Sequence, residues 1–222
     1  LDMSFTANQM LLWYSELEKD RRLLDYAISY ADALTEIQFE NGFFPGWLDQ
    51  ETLHPMQHLN ESPESAMSVT FLLNLYKITQ DEKYRRSALK AMNAIIENIV
   101  YEGQWEDFET YWSCSRYGAE DLVGKKVIRN NQYKQNTLSM FWTAEALLES
   151  FYLTDNREYL KLGERTLDEL LMYQASWQPP YIYVRTVGGF AVMNADGEWN
   201  DSRHSLFSEL IIRYGEELKR EE

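Results

Sequence analysis

The chain is poor in several residues that announce particular chemistries. It carries one cysteine, Cys114, among 222 residues. That excludes an intrachain disulfide framework and a multi-cysteine zinc site. Flanked by Ser113 and Ser115, Cys114 reads as a bystander rather than a nucleophile. Cationic side chains are also scarce: 21 Lys and Arg stand against 36 Asp and Glu, a net charge of −15. Phosphate binding needs a basic surface, so no nucleic acid is expected as a partner, and a large polyanionic substrate is disfavoured. There are three histidines, His54, His58 and His204, at spacings unlike any zinc signature. No apolar run reaches the length of a membrane span. A Gly-rich phosphate loop and a Gly-x-Ser-x-Gly elbow are both missing. The chain opens on Leu1 with no basic-then-apolar leader. Two expectations follow: an excised segment, or a protein whose leader has been removed, which would be periplasmic or extracellular. Nothing in the sequence speaks to oligomeric state.

What is present is a hydrophobic share of 45%, ordinary for a globular protein. The periodicity predicts an all-α chain of seven helices. Links after the first, third and fifth are tight: Glu18-Lys19-Asp20, Thr79-Gln80-Asp81 and Thr154-Asp155-Asn156. Links after the second, fourth and sixth are long, roughly 41–62, 102–133 and 175–203. In an antiparallel array every long loop then falls on one face. Loops of that length inside a compact helical domain are usually functional.

The tight turns repeat. Leu72-Leu73-Asn74-Leu75-Tyr76-Lys77-Ile78-Thr79-Gln80-Asp81-Glu82-Lys83-Tyr84 aligns with the stretch from Leu147 to Tyr159. A weaker copy runs from Leu11 to Leu23. Asp81 and Asn156 are expected as N-caps of the helices that follow. The repeating unit, a helical hairpin plus one long loop, exceeds the roughly 34 residues of a tetratricopeptide. The third and fifth helices are apolar or small on several faces, as buried helices are. The second, fourth and sixth are amphipathic. The expected architecture is therefore two layers, with odd-numbered helices inside and even-numbered ones outside. Such curved double layers close into a toroid or form an open solenoid. The seventh helix has inner-layer character but no partner after it. We expect residues 1–222 to form one domain that is incomplete at both ends.

The turn Thr79-Gln80-Asp81-Glu82-Lys83-Tyr84, followed by Arg85-Arg86-Ser87-Ala88, resembles the hairpin turn found throughout α/α-toroid carbohydrate-active enzymes. These are the six-hairpin glycosidases and the toroidal polysaccharide lyases. Gln38-Phe39-Glu40-Asn41-Gly42-Phe43-Phe44-Pro45 is similar to the Gln-x-x-Asn-Gly-x-x-Pro stretch that ends outer helices in some pectate lyases and cyclase-type toroids. The resemblance implies an (α/α) toroid, or part of one, with its cleft at the mouth surrounded by the outer-to-inner loops. It carries over no catalytic residue, because no catalytic signature of a named family matches.

The loop contents suit a sugar, whose pyranose faces stack on aromatic rings while carboxylates and amides bind its hydroxyls. The loops hold Phe43, Phe44 and Trp47, then Trp105, Tyr111, Trp112 and Tyr117, then Trp177, Tyr181, Tyr183 and Trp199. For any single one of these, packing of the loop onto the helix ends is the alternative. The third loop is densest. Gly188-Gly189 frees the backbone, and Asn194, Asp196, Glu198 and Asn200 alternate oxygen-bearing side chains. That alternation is the spacing of a Ca²⁺ loop, but the full EF-hand pattern is absent, so no metal site or cofactor is assigned. Asp196 and Glu198 are the candidate catalytic pair. Trp47, Trp112, Trp177, Trp199, Arg203 and His204 are the candidate substrate-binding residues. Glycoside hydrolysis needs two carboxylates about 5–10 Å apart. Glu61, Glu64, Glu106, Asp107 and Glu109 in the other loops are further partners. A lyase would instead pair a Tyr or His base with Arg116, Arg185 or Arg203. The leading expectation is a glycan-processing enzyme, glycoside hydrolase first and polysaccharide lyase second. The alternatives are a non-catalytic glycan-binding or scaffold array, and a toroid of other chemistry such as an epimerase.

Overall fold

The computed structural model describes residues 2–56, 60–112, 123–194, 201 and 204–219. Among them are eight helices: α1 (Asp2–Leu12), α2 (Arg21–Glu36), α3 (Ser65–Thr79), α4 (Glu82–Ile95), α5 (Phe108–Trp112), α6 (Thr137–Thr154), α7 (Arg157–Leu171) and α8 (Ser205–Lys219). A wider turn extends α1 over Trp13–Leu17, and another extends α4 over Ile96–Val100. The described residues contain isolated bridges and no strand. The seven expected helices are all present. The eighth, α5, is one turn and a half inside the second long loop. The last helix starts at Ser205, a few residues later than the position near Asp201 that the sequence suggests.

The two layers follow from composition. α3 buries ten residues, from Ser65 to Leu75, and α6 buries twelve, from Thr137 to Ser150. A helix covered on that many sides belongs in the middle. α2 buries Leu24, Ala27, Ala31 and Leu34, one stripe at helical spacing, and α4 and α7 are striped likewise. α1, α3, α6 and α8 pack side by side as the inner layer. The outer helices α2, α4 and α7 back onto α1, α3 and α6. Small residues permit the close approach: Ala88, Ala91, Ala144 and Ala146 have no exposed surface.

The repeated turn is the same construction twice. Gln80 and Asp155 take left-handed backbone angles, φ 57° in each. Their amides close onto Tyr76 O and Phe151 O, both at 2.8 Å. Thr79 and Thr154 each accept the amide two residues on, at 3.3 Å. Asp81 and Asn156 then cap α4 and α7 by accepting the amides of Lys83 and Glu158. These bonds satisfy orphan groups at both helix ends within a two-residue link.

The Gln-x-x-Asn-Gly-x-x-Pro stretch is a clamp that fixes the end of α2 on α4. Gln38 Nε2 donates to Gly42 O at 2.8 Å and to Ser87 O at 3.0 Å, while its Oε1 accepts from Ser87 Oγ at 2.8 Å. Asn41 Oδ1 accepts the Phe43 amide at 3.2 Å. Gly42 sits at φ +100°, and a Cβ there would lie 2.8 Å from Lys90 O. Both the angle and the approach require glycine. The clamp delivers Phe43 and Phe44 into the core with no exposed surface, so these two aromatics pack and do not face a ligand.

Candidate loop-face site

The three long loops meet at the N-terminal ends of the inner helices. Trp47 of the first loop packs on Phe108 of α5, ring centroids 5.0 Å apart. The second loop touches the third where Asn136 bridges Met193, and where Asn194 Oδ1 accepts the Gln135 amide at 2.9 Å. Asn194 Nδ2 also donates to Tyr133 O at 2.9 Å. Tyr173 at the end of α7 donates its hydroxyl to Gln135 Oε1.

At the base of this face the charge of Asp107 bears on the carboxyl of Glu64. Glu64 is the residue before α3, and its side chain makes no cap to that helix. Ser62 does the capping, its Oγ accepting the Glu64 amide at 3.2 Å. The Glu64 carboxyl instead accepts from Ser62 Oγ at 3.1 Å and from the backbone N–H of Phe108. Asp107, 1% exposed, opens α5 and accepts the Thr110 amide at 3.0 Å. It also accepts from Ser139 Oγ at 2.6 Å and Asn136 Nδ2 at 3.2 Å, both from the start of α6. Asn136 Nδ2 reaches Glu109 Oε2 as well, at 2.9 Å. Burial first, and the charge of Asp107 second, push the Glu64 carboxyl up to about 8. Glu64 keeps partial solvent access, but its carboxyl end is deep enough for burial to dominate. Burial also raises Asp107, against three donors that favour its charge. Burial thus opposes charge on both groups, and Asp107 has the larger set of donors to offset it.

A cavity of about 620 Å³ lies between α1, α3, α6 and α8. It is the axial hollow of the inner layer. Its most buried charge, Glu149, is 6% exposed and bridges Lys77 and Arg213. Those three groups are occupied with one another. Glu145, also lining the hollow, is raised to about 7, by burial first and by the charge of Glu149 second. The loop face is the candidate site, because there Glu64, which does not cap its own helix, lies beside an aromatic pair contributed by different loops.

The candidates named from sequence divide. Trp47 is 42% exposed and part of the ring pair. Trp177 is 53% exposed in the third loop. Trp112 is the last residue of α5, with its side chain outside the described residues. Asp196, Glu198, Trp199 and Arg203 lie outside the described residues, as do His58, Cys114, Arg116 and Tyr117. His204 is 4% exposed, with its ring among Phe190 and Phe207. Its Nδ1 accepts the Asp201 amide at 3.2 Å, which in the neutral ring puts the proton on Nε2, 3.4 Å from Thr137 Oγ1. One edge of His204 borders a smaller pocket with Gly188 and Gly189. Trp105 has no exposed surface and donates Nε1–H to Glu169 Oε2 at 2.6 Å, tying the second loop to α7. Among the described residues no group of His, Cys, Asp and Glu is arranged to hold a metal ion. No described helix is long and apolar enough to cross a membrane.

No family model and no curated protein matches the chain. Solved structures do. The cellobiose 2-epimerase of Bacillus thermoamylovorans superposes with a TM-score of 0.60 over 89% of this chain, at 12% identity. An unsaturated glucuronyl hydrolase variant, solved with dGlcA-Glc-Rha-Glc, superposes at 0.49 over 82%, at 19% identity. This fold is an α/α toroid. The chain spans about half of each matched structure, 46% and 49% of their lengths. In toroid terms the inner layer surrounds the axial hollow, and the loop face is its mouth.

Proposed function

We propose that this toroid segment belongs to a glycan-processing enzyme whose cleft is the loop face. The observation that supports the reading is the meeting of the long loops at the ends of the inner helices, where Glu64 accepts the Phe108 amide beside the exposed Trp47. An aromatic face next to a carboxyl group is what a pyranose ring with a scissile or epimerisable centre needs. Asp196 and Glu198 from the third loop are proposed as the remaining acid–base carboxylates. Trp47, Trp112, Trp177, Trp199, Arg203 and His204 are proposed for substrate contact. The −15 net charge favours neutral glycans over polyuronates, and so glycoside hydrolysis over elimination. The buried setting of His204 favours a role in seating the third loop over direct contact.

The experiment is a panel of neutral and uronate-containing oligosaccharides with the full-length protein. New reducing ends signal hydrolysis. Ultraviolet absorbance of an unsaturated uronate signals elimination. A changed sugar without chain cleavage signals epimerisation. Binding without turnover supports the alternative, a glycan-binding array. If no member of the panel is bound or turned over, the reading is wrong.

A further inference from the structure

We propose that the axial hollow is a binding site for a hydroxylated organic ammonium, an aminopolyol, held through its nitrogen by Glu145 and Glu209 and through a hydroxyl by Asn8. The proposal goes beyond the loop-face reading and stands or falls apart from it. The hollow, about 620 Å³ and walled by the inner helices, has the size of a small-molecule site. Six of its lining side chains are charged, and four of them, Glu16, Glu145, Glu149 and Glu209, are acidic. Both cations, Lys77 and Arg213, are held by Glu149 at 2.5 Å. Arg213 also lies over the Tyr152 ring, 5.6 Å from its centroid. With the cations engaged, the rest of the lining presents negative charge.

The hydrogen-bond directions fix what else the hollow offers. Lys77 can only donate, and its Nζ lies 3.1 Å from Asn74 Oδ1. Asn74 must then turn its Nδ2 towards Asn8 Oδ1, at 2.9 Å. Asn8 is left with its own Nδ2 as a donor, and no described residue accepts from it. Asn8 is only 6% exposed and lines the hollow. A buried amide donor without an acceptor is costly, so this one calls for an oxygen in the hollow, such as a hydroxyl.

The second demand is for positive charge. Glu145 stands one turn before Glu149 on the same face of α6. Among the described residues neither Glu145 nor Glu209 of α8 has a hydrogen-bond or ion-pair partner. Glu145 as a residue is half-buried, but its carboxyl end lies deep. Burial first and the charge of Glu149 second raise it to about 7, while Arg213 pulls against them and Glu209 adds to them. The other charged groups lining the hollow are Glu16, in the extension of α1, and Lys77 of α3. The described acidic groups are not arranged to hold a metal ion. An ammonium suits them better, since its N–H groups can be shared between two carboxylates. Phe5 and Phe141 in the lining give its carbon skeleton apolar surface.

The test is calorimetric binding to the full-length protein. Glucamine carries an ammonium and hydroxyls; sorbitol lacks the ammonium and butylamine lacks the hydroxyls. Glucamine is expected to bind at least roughly tenfold tighter than either control. Its affinity should rise from about pH 5.5 to 8, as Glu145 ionises. Glu145→Gln should cost roughly 10- to 100-fold and flatten that rise. Glu209 is exposed, so Glu209→Gln carries little risk to the fold and keeps the test decisive should Glu145→Gln not fold. It should weaken glucamine several-fold and leave the pH dependence in place. Asn8→Ala should narrow the gap between glucamine and butylamine. Carbon-13 titration of glutamate side chains adds a second readout: glucamine should lower the Glu145 midpoint, and sorbitol should not move it. Glucamine bound no tighter than sorbitol, or unweakened by both Glu145→Gln and Glu209→Gln, overturns the proposal. The oligosaccharide panel tests the loop-face reading separately, so either can fail alone.

Discussion

At Gly163, one missing carbon sets how α7 and α8 meet. A Cβ there would lie 1.7 Å from the Tyr214 hydroxyl oxygen and 2.5 Å from its ring carbon. Tyr214 cannot easily withdraw, because it is 2% exposed and donates to Ala144 O at 2.7 Å. Helix propensity and packing therefore predict opposite signs for Gly163→Ala. Propensity alone gives a gain of about 0.5–1 kcal/mol. Overpacking gives a loss of about 1–3 kcal/mol, and in a filled interface it should win. A lower urea midpoint is expected; a higher one would mean that Tyr214 swings away at little cost. Glu64 gives a second signature, in pH. Its folded-state pKa is raised above the unfolded value, to about 8. Such a group contributes most below its unfolded pKa, and that contribution is lost as pH rises through the folded one. Wild-type Tm should thus fall between about pH 5 and 9, and Glu64→Gln should flatten that fall. Not all of this was readable along the chain. Trp47 and Trp105 look alike in sequence, each a loop tryptophan, yet one is 42% exposed and the other fully buried. What separates them is a bond to Glu169 on a distant helix, and no local pattern encodes it.

Among elements, the parts that could be read in advance are those made by neighbours. The hairpin turns at Thr79–Asp81 and Thr154–Asn156 use hydroxyl, amide and carboxylate groups within four residues of one another, so their repetition in sequence became repetition in structure. α5 was missed because five residues carry no usable period, and its start depends on a reciprocal bond between Asp107 and Thr110. Glu149 was missed for the opposite reason. It sits on α6 and joins Lys77 of α3 to Arg213 of α8, partners far apart along the chain. Burial alone would raise its pKa, but the charges and hydrogen bonds of Lys77 and Arg213 hold it below the ordinary value. The stabilisation is present above the unfolded pKa and lost as pH falls through the folded one. Glu149→Gln should cost about 1.5–3 kcal/mol near neutral pH, the range for hydrogen bonds to charged groups. Lys77 is the more exposed partner, so Arg213 should carry more of it. The loss should shrink in acid. A constant difference across the pH range would show that shape, not charge, is what Gln fails to supply.

On the scale of the whole molecule, the buried core lies in the helical layers and the proposed site at their loop end. The buried side chains concentrate in the two helical layers, while the loops at the mouth supply exposed Trp47, Trp177, Tyr181 and Tyr183. Loop length made the placement of the long loops at one end legible before any coordinates. The influence of Asp107 on Glu64 was not, since the two are among several carboxylates in separate loops and only the fold brings one charge to bear on the other. The third loop should show the division most clearly. It is fastened on one side by the Asn136–Met193 bridge and by Asn194, and on the other by the turn from Asp201 to His204 under Phe207. Asp196 and Glu198 fall between these two fastenings. If either serves chemistry rather than the fold, replacing it with its amide should leave stability within about 0.5 kcal/mol of wild type. Turnover of the protein's own glycan should nevertheless fall by roughly 100-fold or more if one of them is a reacting carboxylate. The two measurements have to be read together. A fall in both would mean the loop holds the mouth in shape. Unchanged turnover and affinity in both variants would place the second carboxylate elsewhere on the loop face, with Glu109 and Glu61 the next to be replaced.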